Sequence, residues 1–272
     1  MNHVTPATRV ALAVVLLAVT GCGGGGRQTL TVFADTSLTA TFGSLGKTFE
    51  AAHPGVAVRL DFGGSGALAR RIVQGAPADL FAAAGAATMR ASGAPSPRVF
   101  ARDRLQIAVP KGNPAHVANL KDLAAPGVRV ALCAEPAPCG AGARAALSAA
   151  GVTVTPAGPD QNGPDQNGPD QNGPDQNGGD QKGGDQNAAG ALTKVRLGKA
   201  DAALVYRTDV RAAAGAVEGV DFPEAAKAVE DYLVATVPGT TRIALTREFV
   251  DLVLSDEGRR VLAAAGFTPV TG

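Results

Sequence analysis

The chain has 272 residues, of which 45% are hydrophobic, and carries 25 basic against 24 acidic side chains. That length and apolar content can bury one or two α/β domains and exclude a disordered chain. A net charge of +1 supplies no field to gather nucleic acid or an anionic membrane face, so neither is expected as a partner.

Val10 to Val19 form an unbroken apolar run behind Arg9, the pattern of a signal-peptide core and too short to span a bilayer. The run ends in Val19-Thr20-Gly21-Cys22, which resembles the bacterial lipobox, where cleavage before the cysteine leaves it lipidated. Residues 1–21 therefore read as a lipoprotein signal peptide and 22–28 as a Gly-rich tether. The expected location is the extracytoplasmic face of the cell membrane, held by lipid at Cys22; an ordinary secreted protein is the alternative. Loss of residues 1–21 removes Arg9 and leaves 24 basic and 24 acidic residues.

Beyond the tether, Leu30 to Phe33 is a short apolar strand, and Leu38, Phe42, Leu45 and Phe49 then recur at helical spacing before Pro54-Gly55. Val56 to Phe62 is a second strand, followed by glycines and a helix carrying Leu68 and Ile72, closed by Gly75. Pro77 to Ala82 reads as a buried strand. Ser37 and Ser65 each stand where a strand turns into a helix. A serine at a helix N-cap, beside backbone N–H groups without partners, is a place for an anion. Two such turns point to a site that grips one small oxyanion without a positive side chain.

Farther on, Val128 to Cys133 reads as a strand, Ala141 to Ala149 as a helix and Leu192 to Leu197 as another helix before Gly198. The stretch from Lys199 to Tyr206 echoes Gln74 to Phe81: helix, glycine, Ala-Asp, apolar strand. Alternating strands and helices imply parallel βαβ units, with ligands at the carboxyl ends of the strands. Two similar α/β lobes around a cleft are the economical architecture. With Cys22 lipidated, Cys133 and Cys139 remain; six positions apart outside the cytoplasm, they read as a short bridged loop, with two free thiols as the alternative. His53 and His116 have no ligand cluster around them, so neither a metal site nor a cofactor is expected.

Residues 158–187 are a pentapeptide array, Gly-Pro-Asp-Gln-Asn four times and two close variants. It has no apolar residue to bury and repeated aspartates that repel, so a solvated, expanded loop is expected. The remaining chain, roughly 220 residues after the leader is also removed, suffices for two lobes.

Several stretches together resemble the molybdate-binding receptors of ABC transporters. They are Thr31-Val32-Phe33-Ala34 with Ser37-Leu38, Gly64 to Ile72, Gly75 to Phe81, Ala200-Asp201 through Val205-Tyr206, and Phe249 through Gly258 to Pro269. The resemblance runs from about Thr29 to Pro269 apart from the array. It implies a type II periplasmic-binding-protein fold, with a first lobe from residues 29–107 and 221–272 and a second from 108–220. It also implies a monomeric receptor that binds molybdate or tungstate and delivers it to a permease driven by a separate ATPase subunit. The ligand set carried over is the hydroxyls of Ser37, Ser65 and Tyr206 with backbone amides at Cys139 and Ala188. Three departures stand out: the acidic residue usual after Phe81 is missing from Ala82 to Ala87, the usual Tyr-Pro is Tyr232-Leu233, and, most conspicuously, the array lies just upstream of the contact at Ala188.

Other readings are weaker on chemical grounds. A different tetrahedral oxyanion such as sulfate would suit the same donors. Gly63 to Ala67 approximates the nucleophile elbow of a serine hydrolase but ends in alanine, and the one later histidine is His116. No catalytic residue is expected. A surface-interaction role for the array is a third reading.

Overall fold

A computed structural model describes residues 27–134, 138–157, 188–213 and 215–270. The leader, Cys22 and the array, on which the readings of export, lipidation and an expanded loop rest, lie outside the described residues.

The chain opens with β1 (Gln28–Asp35), a 3-10 turn at Thr36–Leu38, α1 (Thr39–Ala52), β2 (Val56–Gly63), α2 (Ser65–Val73), β3 (Leu80–Ala84) and α3 (Ala86–Ala91). The long β4 (Arg98–Pro110) follows, then β5 (Val130–Leu132), α4 (Pro138–Ala150), α5 (Ala188–Arg196), β6 (Ala202–Tyr206), α6 (Arg207–Ala212) and β7 (Val217–Val220). The last elements are β8 (Val229–Thr236), α7 (Ile243–Leu254), α8 (Asp256–Ala264) and β9 (Thr268–Pro269).

The strands run in the order β2-β1-β3-β8-β4-β6-β5, with β7 and β9 also paired to β4. Strands β1, β2 and β3 are mutually parallel, β8 lies antiparallel to β3, and β5 is parallel to β6. The near-continuous apolar runs follow from burial on both faces, since successive side chains of a strand point opposite ways. Leu80, Ala82 and Ala84 enter one core while Phe81 and Ala83 enter another. Along β6, Ala202, Leu204 and Tyr206 face a third core, and Ala203 and Val205 a fourth.

These cores make two lobes that share β4. Its first half pairs with β8, from Arg98 opposite Val234 to Arg104 opposite Val229. Its second half pairs with β6, starting at Leu105 opposite Tyr206, and with β7. Phe100 and Ala101 lie in a first-lobe core, whereas Leu105 and Ile107 lie in a second-lobe core. Phe222, Ala225 and Ala228 also pack into the second lobe, and Tyr232 into the first.

The sequence echo between residues 74–81 and 199–206 is a repeated structural joint. At the end of α2, Gly75 takes φ +88°, its N–H reaches the Ile72 carbonyl, and the Ala76 N–H reaches Arg71. At the end of α5, Gly198 takes φ +68°, its N–H reaches Val195, and the Lys199 N–H reaches Lys194. Both are the paired closures of a Schellman motif, which needs a left-handed residue and so selects glycine. Each is followed by an aspartate clamp. Asp79 accepts the Thr31 N–H at 2.8 Å and donates its own N–H to the Thr31 carbonyl; Asp201 does the same with Arg129 at 2.9 and 2.8 Å. The clamps pin β1 at Thr31, in the middle of the strand, and β5 at Arg129, just before its first residue. Gly198→Ala is expected to lower unfolding free energy by about 1 kcal/mol or more, because alanine is strained at positive φ. Urea titration of the two proteins checks this.

Candidate functional site

Strand β1 ends at Asp35, which caps the following 3-10 turn by accepting the Ser37 N–H at 3.0 Å. Strand β2 runs parallel beside it and leads through Gly63 and Gly64 into α2, whose first residue is Ser65. The two serine turns are thereby brought to one point. Their meeting place is the Asp35 carboxylate: Oδ1 accepts the Ser37 N–H and hydroxyl, and Oδ2 accepts the Ser65 N–H at 3.2 Å and the Ser65 hydroxyl.

The hydroxyls are also held from behind. Ser37 Oγ gives its one proton to Asp35 at 2.8 Å, so the 2.9 Å contact with Tyr232 is a bond donated by the tyrosine. Ser65 Oγ accepts the Ala84 N–H at 2.9 Å, and Ala84 pairs across the sheet with Tyr232. Asp35, Ser37, Tyr232, Ala84 and Ser65 thus close a ring at the carboxyl ends of β1 and β3 and the first half of β8. This is where an open α/β sheet places its ligands.

From the second lobe, Tyr206 ends β6 and is buried, and its hydroxyl donates to Glu230 Oε2 at 3.3 Å. A Cβ at Gly142 would sit 3.5 Å from that hydroxyl, so α4 passes close over it. Burial, reinforced by Glu230, raises the Tyr206 phenol far above its ordinary range and keeps it a donor. Burial does the same to Tyr232, helped by the charge of Asp35. Glu230 fills the space at Gly85, where φ is +87° and a Cβ would lie 3.0 Å from Oε1. It therefore brings a carboxylate to the turn after Phe81, where the expected acidic residue is missing.

Two further carboxyls sit behind this floor. Asp103 is 1% exposed, accepts the Thr208 hydroxyl at 2.6 Å, and is raised by burial to about 7. Asp209 accepts the Tyr206 N–H at 3.0 Å and is raised, again chiefly by burial, to about 6.

Among the five residues expected to hold a ligand, Ser37 and Ser65 are brought together by Asp35. Tyr206 reaches the same floor through Glu230, whose carboxyl is raised chiefly by burial, then by the charges of Asp231 and Asp35. Cys139 stands in the first turn of α4 and Ala188 opens α5. Among the described residues, no hydrogen bond joins either to the serines. Cys133 and Cys139 form a disulfide, which ties the end of β5 to the start of α4. The fit there is close: a Cβ at Gly140 would fall 2.1 Å from the Ala134 carbonyl oxygen. Among the described residues, no group of three or more His, Cys, Asp or Glu is placed to hold a metal ion. Nor is any described helix long and apolar enough to cross a membrane.

Four groups of this floor, Asp35, Tyr232, Glu230 and the Ala84 amide, carry no expected ligand-site role from the sequence. Asp35 has a local signal, since aspartate two residues before a serine at a strand end is a capping arrangement. The other three are placed by strand pairing, which no short-range pattern announces.

The profile of bacterial extracellular solute-binding proteins matches residues 30–268. The curated molybdate-binding protein ModA of Mycobacterium tuberculosis is 32% identical over 283 residues, covering 98% of this chain and 99% of the relative. The chain belongs to the ModA family of extracellular solute-binding proteins. Solved ModA-like structures share its fold. The substrate-binding domain of a putative molybdenum ABC transporter from Clostridium difficile superposes with a TM-score of 0.69 at 19% identity, covering 89% of this chain and 99% of that one. The periplasmic molybdate-binding protein of Azotobacter vinelandii does so with a TM-score of 0.64 at 19% identity, covering 89% and 100%. The two-lobed type II architecture is therefore that of this ModA-family chain.

The two raised carboxyls give a signed pH dependence. Between the ordinary aspartate value of 3.8 and about 7 for Asp103, or about 6 for Asp209, the folded state holds protons that the unfolded state has released. Their contribution is absent below 3.8, becomes unfavourable as pH rises through that window, and is fully unfavourable above it. Asp103→Asn is expected to flatten the fall in stability between about pH 4 and pH 7, measured by urea unfolding in matched buffers. An unchanged slope would remove Asp103 as a contributor.

Proposed function

We propose that the protein is an extracytoplasmic receptor for molybdate, with tungstate as an equivalent ligand, that hands its cargo to an ABC-transporter permease powered by a separate ATPase subunit. The observation that carries this reading is the convergence of two hydroxyls and two backbone amides on one anionic group at the meeting of β1 and α2. A donor set without a cation suits an oxyanion whose charge is spread over several oxygens. The near full-length kinship with a protein named molybdate-binding supports the choice of oxyanion.

In this mechanism Ser37 and Ser65 supply the first-lobe half of the clamp. Tyr206 and the amides at Cys139 and Ala188 supply the other half as the lobes close. Hydrogen bonds to a charged acceptor contribute about 1.5–3 kcal/mol each, so a handful of them offsets the cost of stripping water from a dianion. The ligand is carried and not transformed, so no catalytic residue or cofactor is required. Lipidation at Cys22 would keep the receptor beside its transporter.

Calorimetric titration of the mature protein with molybdate, tungstate, sulfate and phosphate tests the assignment. Heat is expected with the first two, and its absence with both would overturn the reading. Ser65→Ala and Tyr206→Phe are each expected to weaken molybdate binding by about tenfold or more, the loss of one charge-assisted hydrogen bond.

A further inference from the structure

The donors that would hold an oxyanion are already spent. Each serine has one hydroxyl proton, and both protons go to the Asp35 carboxylate, as do both serine amides. Each hydroxyl oxygen also accepts a bond from behind, Ser37 from Tyr232 and Ser65 from Ala84. In this arrangement neither serine has a donor to offer a ligand.

We infer that Asp35 sets the affinity and selectivity of the site by acting as a tethered internal anion that an incoming oxyanion must displace. This rests on the oxyanion reading of the site. The carboxylate and the ligand want the same four donors, and two anions cannot share them at contact distance. Because Asp35 directly precedes the turn it caps and stands two residues from Ser37, its local concentration at the cradle far exceeds that of a free carboxylate. Monoanions common in solution therefore lose the competition, while a dianion that also gains contacts from the second lobe can win it. Displacement is sterically simple: Asp35 ends its strand and is half-buried, so its side chain has solvent to turn into. The discrimination comes from an occupant already in place, a form of selectivity by exclusion.

The test uses the mature protein with Asp35 intact, as Asp35→Ala and as Asp35→Asn. Asp35→Ala is expected to bind molybdate at least tenfold more tightly than the parent. In anion-free buffer it should melt at a lower temperature, because the serine donors have lost their acceptor. Sodium formate, a free carboxylate of the right size, should restore that loss in Asp35→Ala while leaving the parent unmoved. Molybdate affinity in Asp35→Ala that equals or falls below the parent's, or formate that protects both proteins alike, overturns the inference. Asp35→Asn, nearly the same shape without the charge, covers the case in which the alanine variant does not fold; it too should bind molybdate more tightly than the parent. If molybdate binds none of the three proteins, the oxyanion assignment falls, whereas the formate comparison still decides whether Asp35 fills the cradle.

Discussion

A backbone N–H at the start of a helix has no partner within that helix, and when it is shielded from water it must find an acceptor nearby. In this protein the Ser37 and Ser65 amides find the same one, the Asp35 carboxylate. That shared acceptor draws the turn after β1 against the start of α2, and the serine hydroxyls join it. Tyr232 and the Ala84 amide complete the ring by holding the hydroxyls from the neighbouring strands. The geometry proposed to take an oxyanion is thus the geometry that satisfies the chain's own polar groups.

The placement of that ring depends on joints far below it. Asp79 clamps β1 at Thr31 and Asp201 the entry of β5 at Arg129, each a few residues after a glycine-closed helix. Strand β1 then reaches the site at Asp35, and β6, paired with β5, reaches it at Tyr206. The same local device, used once in each lobe, sets the depth at which each presents its donors. Glycine and aspartate at these points follow from backbone requirements alone, without reference to a ligand.

Much of this was legible in the residues. The alternation of short apolar strands with amphipathic helices, the echo between residues 74–81 and 199–206, and the two serine turns all depend on neighbours within a few positions. The Cys133–Cys139 bridge, read as one of two alternatives, is present. What escaped the reading is what pairing across the sheet creates. Tyr232 looks like a substitution beside a lost proline, yet it lies opposite Ala84 and reaches Ser37 across a separation of 195 residues. Glu230 replaces, from β8, the carboxylate missing after Phe81, because Gly85 leaves it room. Asp35 carries a local capping pattern that drew no role in the sequence, and only the approach of α2 gives its second oxygen to Ser65.

The sharing of β4 between the lobes has a mechanical consequence. Asp103 pairs with Glu230 on one side of this strand, and two residues on Leu105 pairs with Tyr206 on the other. The Tyr206–Glu230 hydrogen bond therefore spans the strip of backbone about which the lobes must turn. A rotation of one lobe against the other cannot be absorbed in a slack loop there; it has to appear as added twist in a continuous ladder, with this bond as its strain gauge. The hydroxyl proposed to meet the oxyanion and the strand shared by the lobes are thus separated by a single side-chain contact, which would tie capture to bending.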